Sequence, residues 1–126
     1  MFLGRNALHS PTLKQETVTI ASLGGEVILS ELSVADRLRA SKVFAAVAEG
    51  DTDGTYRALL AQVAMSLRNE DGSPMCGPDD IAGMVESLMQ HPGKVVDELT
   101  SECMRIQGIG KEDLKETVGN SDEIPS

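Results

Sequence analysis

The sequence predicts an α+β fold that is mainly helical, with four or so helices and one N-terminal β-hairpin. Apolar residues between residues 55 and 69 recur at steps of three and four, which is the period of an α-helix. Residues 16 to 21 instead alternate polar and apolar side chains, and after a Gly-Gly turn residues 26 to 32 are rich in Val, Ile and Leu. The five prolines fall in turns, helix starts or terminal segments, so none interrupts these elements.

The hairpin is predicted to consist of a strand from Glu16 to Ala21 and a return strand from Glu26 to Leu32. Ser22 to Gly25 forms the turn, in which two glycines are free to adopt positive φ. Because an isolated hairpin is barely stable in water, it must pack on helices or on a partner's edge. We therefore expect self-association through the hairpin edge or through a methionine-bearing helix face, and the hairpin residues expected to contribute are Val18, Ile20, Val27 and Leu29.

Two helices are predicted to follow the hairpin. Ser33 and Asp36 form a capping box at the start of the first helix. Its buried face is predicted to comprise Ala40, Val43, Phe44 and Val47. The second helix spans residues 55 to 69 with Asp53 as its cap, and the rest of the chain is expected to pack around it. Its buried stripe is predicted to comprise Tyr56, Leu59, Leu60, Val63, Ala64 and Leu67.

Two more helices are predicted in the second half of the chain. Proline and two acids at residues 78 to 80 favour a helix start, because acids stabilise the positive end of the helix dipole. The buried stripe of this helix is predicted to comprise Ile81, Met84, Val85 and Leu88. Residues 91 to 93 separate it from a last helix with Gly108 as its C-cap. The buried face of the last helix is predicted to comprise Val96, Leu99, Cys103 and Ile106.

The chain is predicted to contain one folded domain between two looser segments. Residues 1–15 are expected to be a flexible leader, and residues 16–110 a single α+β domain. Residues 111–126 are expected to be an acidic, partly disordered tail, in which Lys111 to Val118 can add a short helical turn or two.

Charge and composition exclude several classes of function. The net charge is −9 and the isoelectric point about 4.6, which argues against binding nucleic acid or an anionic membrane. The longest apolar run, Val43 to Ala48, is far too short to span a bilayer. The two cysteines provide no disulfide framework, so a reducing, cytoplasmic setting is expected.

No motif in the sequence predicts a cofactor, a metal site or catalysis. The acidic stretch from Glu49 to Gly54 resembles the front half of a calcium loop, but Leu60 occupies the position of the closing acid. The cysteines and histidines lack the paired spacing of a zinc site. Cys76, alone or with His91, leaves open a small cysteine-dependent enzyme, although no orienting group or oxyanion hole is recognisable.

Methionines on the predicted helices suggest an adaptable apolar surface. Such residues often fill soft cores, but they also suit surfaces that bind many similar helical segments. The candidate partner-binding residues are Met65, Met84, Leu88, Met89 and Met104.

The order of these features resembles a known family. The resemblance rests on three stretches: residues 18 to 37 with the hairpin and first helix start, residues 64 to 81 with the sequence Asn-Glu-Asp-Gly-Ser-Pro, and Pro92, Val95, Val96 and Leu99 in the last helix. It covers most of residues 14 to 110. The family is that of the tail assembly chaperones of long-tailed, lambda-like phages.

The resemblance implies a protein that acts in the host cell cytoplasm during tail building and is absent from the mature virion. Such chaperones bind and solubilise the tape measure protein, promote tail tube assembly, and associate into open or spiral oligomers. A form extended by ribosomal frameshifting, near Gly110 and Lys111 here, is implied as the partner of the tail tube protein. A generic acidic regulatory binding protein remains the alternative besides the enzyme.

Overall fold

The structure is a computed structural model that describes residues 2–9 and 12–108. In chain order the elements are α1 (Arg5–His9), β1 (Gln15–Ile20), a 3₁₀ turn (Ala21–Leu23), β2 (Gly25–Ser30), α2 (Val34–Ala45), α3 (Thr52–Ser66), β3 (Leu67–Arg68), α4 (Ile81–Leu88) and α5 (Gly93–Ile106). The predicted class, α+β and mainly helical with an N-terminal hairpin, is confirmed.

The β-sheet has three antiparallel strands in the order β1-β2-β3. β1 and β2 form the predicted hairpin, in which Val18 pairs with Val27. Of the two turn glycines, only Gly24 has positive φ, at 69°. The tight 3₁₀ turn before Gly24 makes the left-handed conformation necessary there, whereas Gly25 already belongs to β2.

The third strand is a correction to the sequence prediction, which continued the central helix to residue 69. α3 instead ends at Ser66, and Leu67 adopts an extended conformation with ψ of 137°. Leu67 and Arg68 pair with Leu29 and Ile28, because the second edge of β2 would otherwise leave backbone groups unpaired. Leu67 stays buried, as predicted, but it does so as part of the sheet.

α3 also begins earlier than predicted. Asp51, rather than Asp53, caps it by accepting a hydrogen bond from the Gly54 amide at 2.9 Å. Tyr56 is 45% exposed, contrary to the prediction that it is buried, and Leu59 of the predicted stripe is only half-buried. The later turns bury Leu60 and Val63 completely or nearly so.

The core lies between one face of the sheet and helices α3, α4 and α5. α5 contacts both strands of the hairpin and also packs against α3, which in turn contacts α4 and α2. The predicted stripes of α4 and α5 are confirmed, with Ile81 and Met84 half-buried. The buried cluster comprises Val18, Ile20, Leu29, Leu60, Ala61, Val63, Leu67, Val85, Leu88, Val95, Val96, Leu99, Cys103 and Ile106.

α2 is the least buried of the long helices. Its predicted cap is confirmed, since the Ser33 hydroxyl accepts a hydrogen bond from the Asp36 amide at 3.2 Å. Its predicted buried face is wrong in part, because only Ala40 is buried and both Val43 and Phe44 are exposed. α2 contacts mainly α3, so only a narrow strip of its surface is covered.

The two ends of the chain lie partly outside the described residues. Within the predicted leader, α1 is a five-residue helix that buries none of its side chains. The predicted tail and its possible helical turn at Lys111 to Val118 lie outside the described residues, as does Ile109. The C-cap of α5 is Gln107 and not Gly108 as predicted, and Gly108, the next residue, has positive φ of 82°.

Candidate partner-binding surface

An open groove of about 450 Å³ lies between α2, the end of α3 and the loop that leads into α4. Its lining residues are Asp36, Arg39, Met65, Arg68, Pro74, Cys76, Gly77, Pro78 and Ile81. We call this surface the α2–α4 groove. Most of its lining is apolar, and its polar groups come mainly from two arginines and one aspartate, so it suits an apolar segment with an acidic side chain.

A tight turn after β3 shapes one wall of the α2–α4 groove. Asp71 accepts a hydrogen bond from the Ser73 amide at 2.9 Å, and Gly72 has φ of 89°, which favours glycine. The chain then runs back beside β3, where the Met75 amide donates to the Leu67 carbonyl at 3.1 Å. This return brings Pro74 and the residues up to Pro78 over the groove.

The arginines of the α2–α4 groove have different environments. Arg68 is buried and its Nη1 donates to the carbonyls of Met65 and Leu67, which closes the C-terminal end of α3. Arg39 is exposed and pairs with Asp36 at 3.1 Å. Among the described residues Arg68 forms no ion pair, so the groove carries one uncompensated positive charge in a strongly acidic protein.

The predicted partner-binding methionines lie at different depths. Met65 is half-buried and lines the α2–α4 groove. Met84 and Met89 are half-buried and pack against the core, and Met104 is half-buried on α5. Leu88 is only 6% exposed, so its side chain belongs to the core. Of these five residues, Met65 is the one that lines the α2–α4 groove.

The predicted self-association residues also point mainly inward. Val18, Ile20 and Leu29 belong to the buried core and Val27 packs against it, because α5 covers this face of the hairpin. Val18, Ile20 and Leu29 are at most 6% exposed, whereas Val27 is half-buried. What the hairpin offers instead is the backbone of β1, which forms one edge of the sheet.

Sequence reasoning missed several exposed apolar residues. Val34 is 74% exposed and Leu38 58% exposed on the outer side of α2, and Met75 is exposed beside the α2–α4 groove. Apolar residues occur on all sides of α2, so its sequence does not show which side faces water. The repeat of apolar residues at positions 34, 38 and 45 could have indicated an outer stripe.

Both cysteines are buried, and burial raises the pKa of each thiol. For Cys76 the neighbouring Asp80 raises the pKa further. Cys103 lies 3.3 Å from the Ser66 hydroxyl inside the core. Since the thiolate is the nucleophile, these environments disfavour the cysteine-dependent enzyme. In residues 2–9 and 12–108, no three cysteine, histidine or acidic side chains come together as possible metal ligands.

No helix in the described part of the chain has both the length and the apolar character needed to cross a membrane.

No protein-family model matches the sequence, and no curated protein matches it. A solved structure does match: the tail assembly chaperone of bacteriophage HK97 superimposes with a TM-score of 0.57 at 19% sequence identity. The match covers 75% of this chain and 85% of the phage protein.

Coverage of this extent includes most of the described elements, so the likeness concerns the domain as a whole. At 19% identity it is a likeness of fold. The fold implied by the sequence resemblance is thereby confirmed: this chain has the fold of a phage tail assembly chaperone.

Proposed function

We propose that this protein is a phage tail assembly chaperone that binds and solubilises the tape measure protein and promotes assembly of the tail tube. The observation that carries the proposal is the fold shared with the HK97 tail assembly chaperone. The sequence resemblance, which rests on residues rather than coordinates, points to the same family. Burial raises the pKa of both cysteine thiols and so favours their protonated, unreactive form. This agrees with a protein that binds its partner without catalysis.

The α2–α4 groove is the proposed contact for an apolar helical segment of the tape measure protein. Met65 gives the groove an adaptable apolar wall, and Pro74, Pro78 and Ile81 extend it. Arg68 and Arg39 favour an acidic residue in the bound segment. The net charge of −9 keeps such a complex in solution by repulsion between copies.

Two further properties belong to the same proposal. Self-association into open or spiral oligomers uses the free edge of β1, since an unpaired strand accepts another strand.

A frameshift-extended product recruits the tail tube protein, and both forms act in the host cytoplasm and leave before the virion matures. An affinity tag before residue 1 would reveal the extended product as a second, longer tagged chain. Mass spectrometry that finds a single length during infection contradicts this part.

Co-expression with the phage's tape measure protein tests the main proposal. We expect Met65→Glu to lower the soluble fraction of tape measure protein severalfold, because a carboxylate in the groove opposes apolar binding. Pro78→Glu, at an exposed lining position, should act in the same direction without disturbing the core. The matched control is Leu23→Glu, since Leu23 is exposed in the hairpin turn and lines no part of the groove.

The outcomes separate folding from binding. Circular dichroism and thermal melting establish that each variant is folded. Folded wild-type protein that leaves the tape measure protein insoluble and unbound would overturn the proposed function. Solubilisation that survives both groove substitutions would instead show that another surface binds.

A further inference from the structure

Arg68 of the α2–α4 groove has one edge of its guanidinium group unused. The residue is 7% exposed, and its Nη1 donates to the carbonyls of Met65 and Leu67 at 2.8 and 3.0 Å. Nε and Nη2 have no hydrogen-bond partner in residues 2–9 and 12–108. In the same residues no fully buried side-chain nitrogen lacks a partner, so both atoms must reach open space. The open space that Arg68 lines is the groove.

The position of this edge is fixed before any partner binds. The bonds from Nη1 hold one side of the guanidinium plane against the end of α3. The backbone of Arg68 pairs with Ile28 of β2 and forms a bridge with Pro74. Because the group is already ordered, a ligand that binds Nε and Nη2 costs little further conformational entropy.

Arg68 also carries the unbalanced charge among the described residues that line the groove. The other two charged lining residues, Asp36 and Arg39, pair with each other at 3.1 Å. The carbonyls at the end of α3 bring only partial negative charge to Arg68. A group with a full negative charge is therefore attracted to Nε and Nη2.

Acids in the neighbouring loops limit how much negative charge a partner can bring. These acids are exposed to water and form no ion pair with Arg68 in the described chain: Glu70, Asp71, Asp79 and Asp80. Together with the net charge of −9 they repel a strongly acidic segment. The groove therefore suits a segment with one carboxylate rather than a run of acids.

The apolar lining of the groove determines what suits the positions beside that carboxylate. Met65, Pro74 and Ile81 contribute apolar surface, and the flexible side chain of Met65 adapts to different neighbours. On a helix, residues three or four positions apart lie on the same face. An acid with apolar residues at these spacings would place its carboxylate at Arg68 while the apolar residues cover the lining.

We propose that Arg68 is the specificity-determining residue of the α2–α4 groove. Through Nε and Nη2 it binds both oxygens of one glutamate or aspartate side chain in an apolar helical segment. The inference rests on the proposed function, in which that segment belongs to the tape measure protein. An apolar groove alone accepts many segments, whereas the requirement for a carboxylate restricts binding to segments with an acid in the correct position.

Peptides test the requirement for a carboxylate. Overlapping peptides that cover the phage's tape measure protein, acetylated and amidated at their ends, are titrated with the full-length protein by calorimetry. We expect each peptide that binds to contain an acid with apolar residues three or four positions away. Replacing that acid by its amide should weaken binding about tenfold or more, the usual size for a hydrogen bond to a charged group. Replacing an acid on the opposite helix face by its amide is the matched control and should have little effect.

Nuclear magnetic resonance of the wild-type protein tests whether Arg68 is the group that binds. At saturation the Nε–H signal of Arg68 should shift with the acidic peptide and stay in place with its amide counterpart, a difference that a purely structural role would not produce. Arg68→Lys keeps the charge but loses the paired donors. It should weaken binding of the acidic peptide about tenfold and reduce the difference between the two peptides. Arg57→Lys is the matched control, since Arg57 lies on α3 but does not line the groove.

The outcomes separate this inference from the proposed function. Peptides that bind equally well with acid and amide, or an Arg68 signal that does not move, would overturn the role of Arg68 and leave the proposed function standing. Binding only by peptides whose C-terminal carboxylate is left free would overturn that role as well. Binding by no peptide would overturn both. The comparison of Nε–H signals uses the wild-type protein, so it decides the matter even if thermal melting shows that Arg68→Lys is unstable.

Discussion

Gln107 is the residue whose side chain joins the most parts of the fold. Its Oε1 accepts from the Leu32 amide at 2.7 Å, and its Nε2 donates to the Ser30 carbonyl at 3.0 Å. Nε2 also lies 3.3 Å from the Ser66 hydroxyl at the end of α3. The side chain thus satisfies backbone groups that leave the sheet after β2 and are buried from water.

We expect Gln107→Ala to lower the free energy of unfolding by about 2–3 kcal/mol. The substitution leaves the buried Leu32 amide and the buried Ser30 carbonyl without the hydrogen bonds that Gln107 provides. Urea denaturation at neutral pH measures this loss. The control is Gln90→Ala, since Gln90 is exposed and its side chain forms no hydrogen bond with the described residues. A loss below about 0.5 kcal/mol for Gln107→Ala, the usual size for a surface change, would contradict the role assigned to Gln107.

At the scale of elements, side chains of α5 form hydrogen bonds and an ion pair with both ends of the hairpin. Glu98 accepts from the amides of Ala21 and Ser22 at 2.9 and 3.1 Å, which holds the turn. Arg105 holds the start of β1 through Glu16 at 2.9 Å, and it also pairs with Glu102. Hydrogen bonding to Arg105 lowers the pKa of Glu16, and hydrogen bonding to Ser22 lowers the pKa of Glu98.

These lowered pKa values predict a loss of stability in acid. A carboxyl group with a lower pKa in the folded state stabilises the fold above its ordinary value, which is 4.5 for these two groups. That stabilisation disappears as the pH falls through the folded-state pKa. We expect Arg105→Met to flatten the decrease in unfolding free energy between neutral and acidic pH, because Glu16 loses its partner.

Urea denaturation across this pH range measures the effect. Arg39→Met is the control, because Arg39 pairs only with Asp36 on the surface of α2. An equally steep decrease in wild type and Arg105→Met would show that the contact between α5 and β1 contributes nothing to the acid response.

Sequence patterns predicted those elements whose signals are local. The Ser33 cap, the stripe of α4 and the buried face of α5 each follow from spacing within one element. The two-residue strand at Leu67 was not predictable in this way, since its extended form depends on β2, far away in the sequence. The α2–α4 groove was missed for the same reason, because three separate segments line it.

The whole molecule combines an acidic surface with one open sheet edge. β2 is paired on both sides, and Arg68 of β3 bridges to Pro74, so β1 has the free edge among the described strands. The Glu31 amide donates to the Lys14 carbonyl at 2.8 Å. Since bonded pairs alternate along an antiparallel ladder, the amide of Thr17 points away from β2, toward the free edge.

Self-association through this edge predicts a specific effect of proline. We expect Thr17→Pro to weaken oligomerisation strongly, because it removes an outward donor, whereas Thr17→Val should retain it. Sedimentation velocity over a range of protein concentrations measures both variants. Identical oligomers in Thr17→Pro and wild type would exclude the β1 edge as the contact, and a wild type that stays monomeric at high concentration would contradict self-association itself.

The fastening of the hairpin by α5 has a consequence for synthesis on the ribosome. The Ala21 amide donates a hydrogen bond to Glu98 and the Leu32 amide donates one to Gln107, and these pairs lie 77 and 75 positions apart in the chain. A nascent chain that ends before α5 contains the complete sheet sequence but lacks the helix that covers it. α5 therefore cannot cover the apolar face of the hairpin until translation has passed residue 107. During this interval the exposed apolar surface makes the nascent chain prone to aggregation.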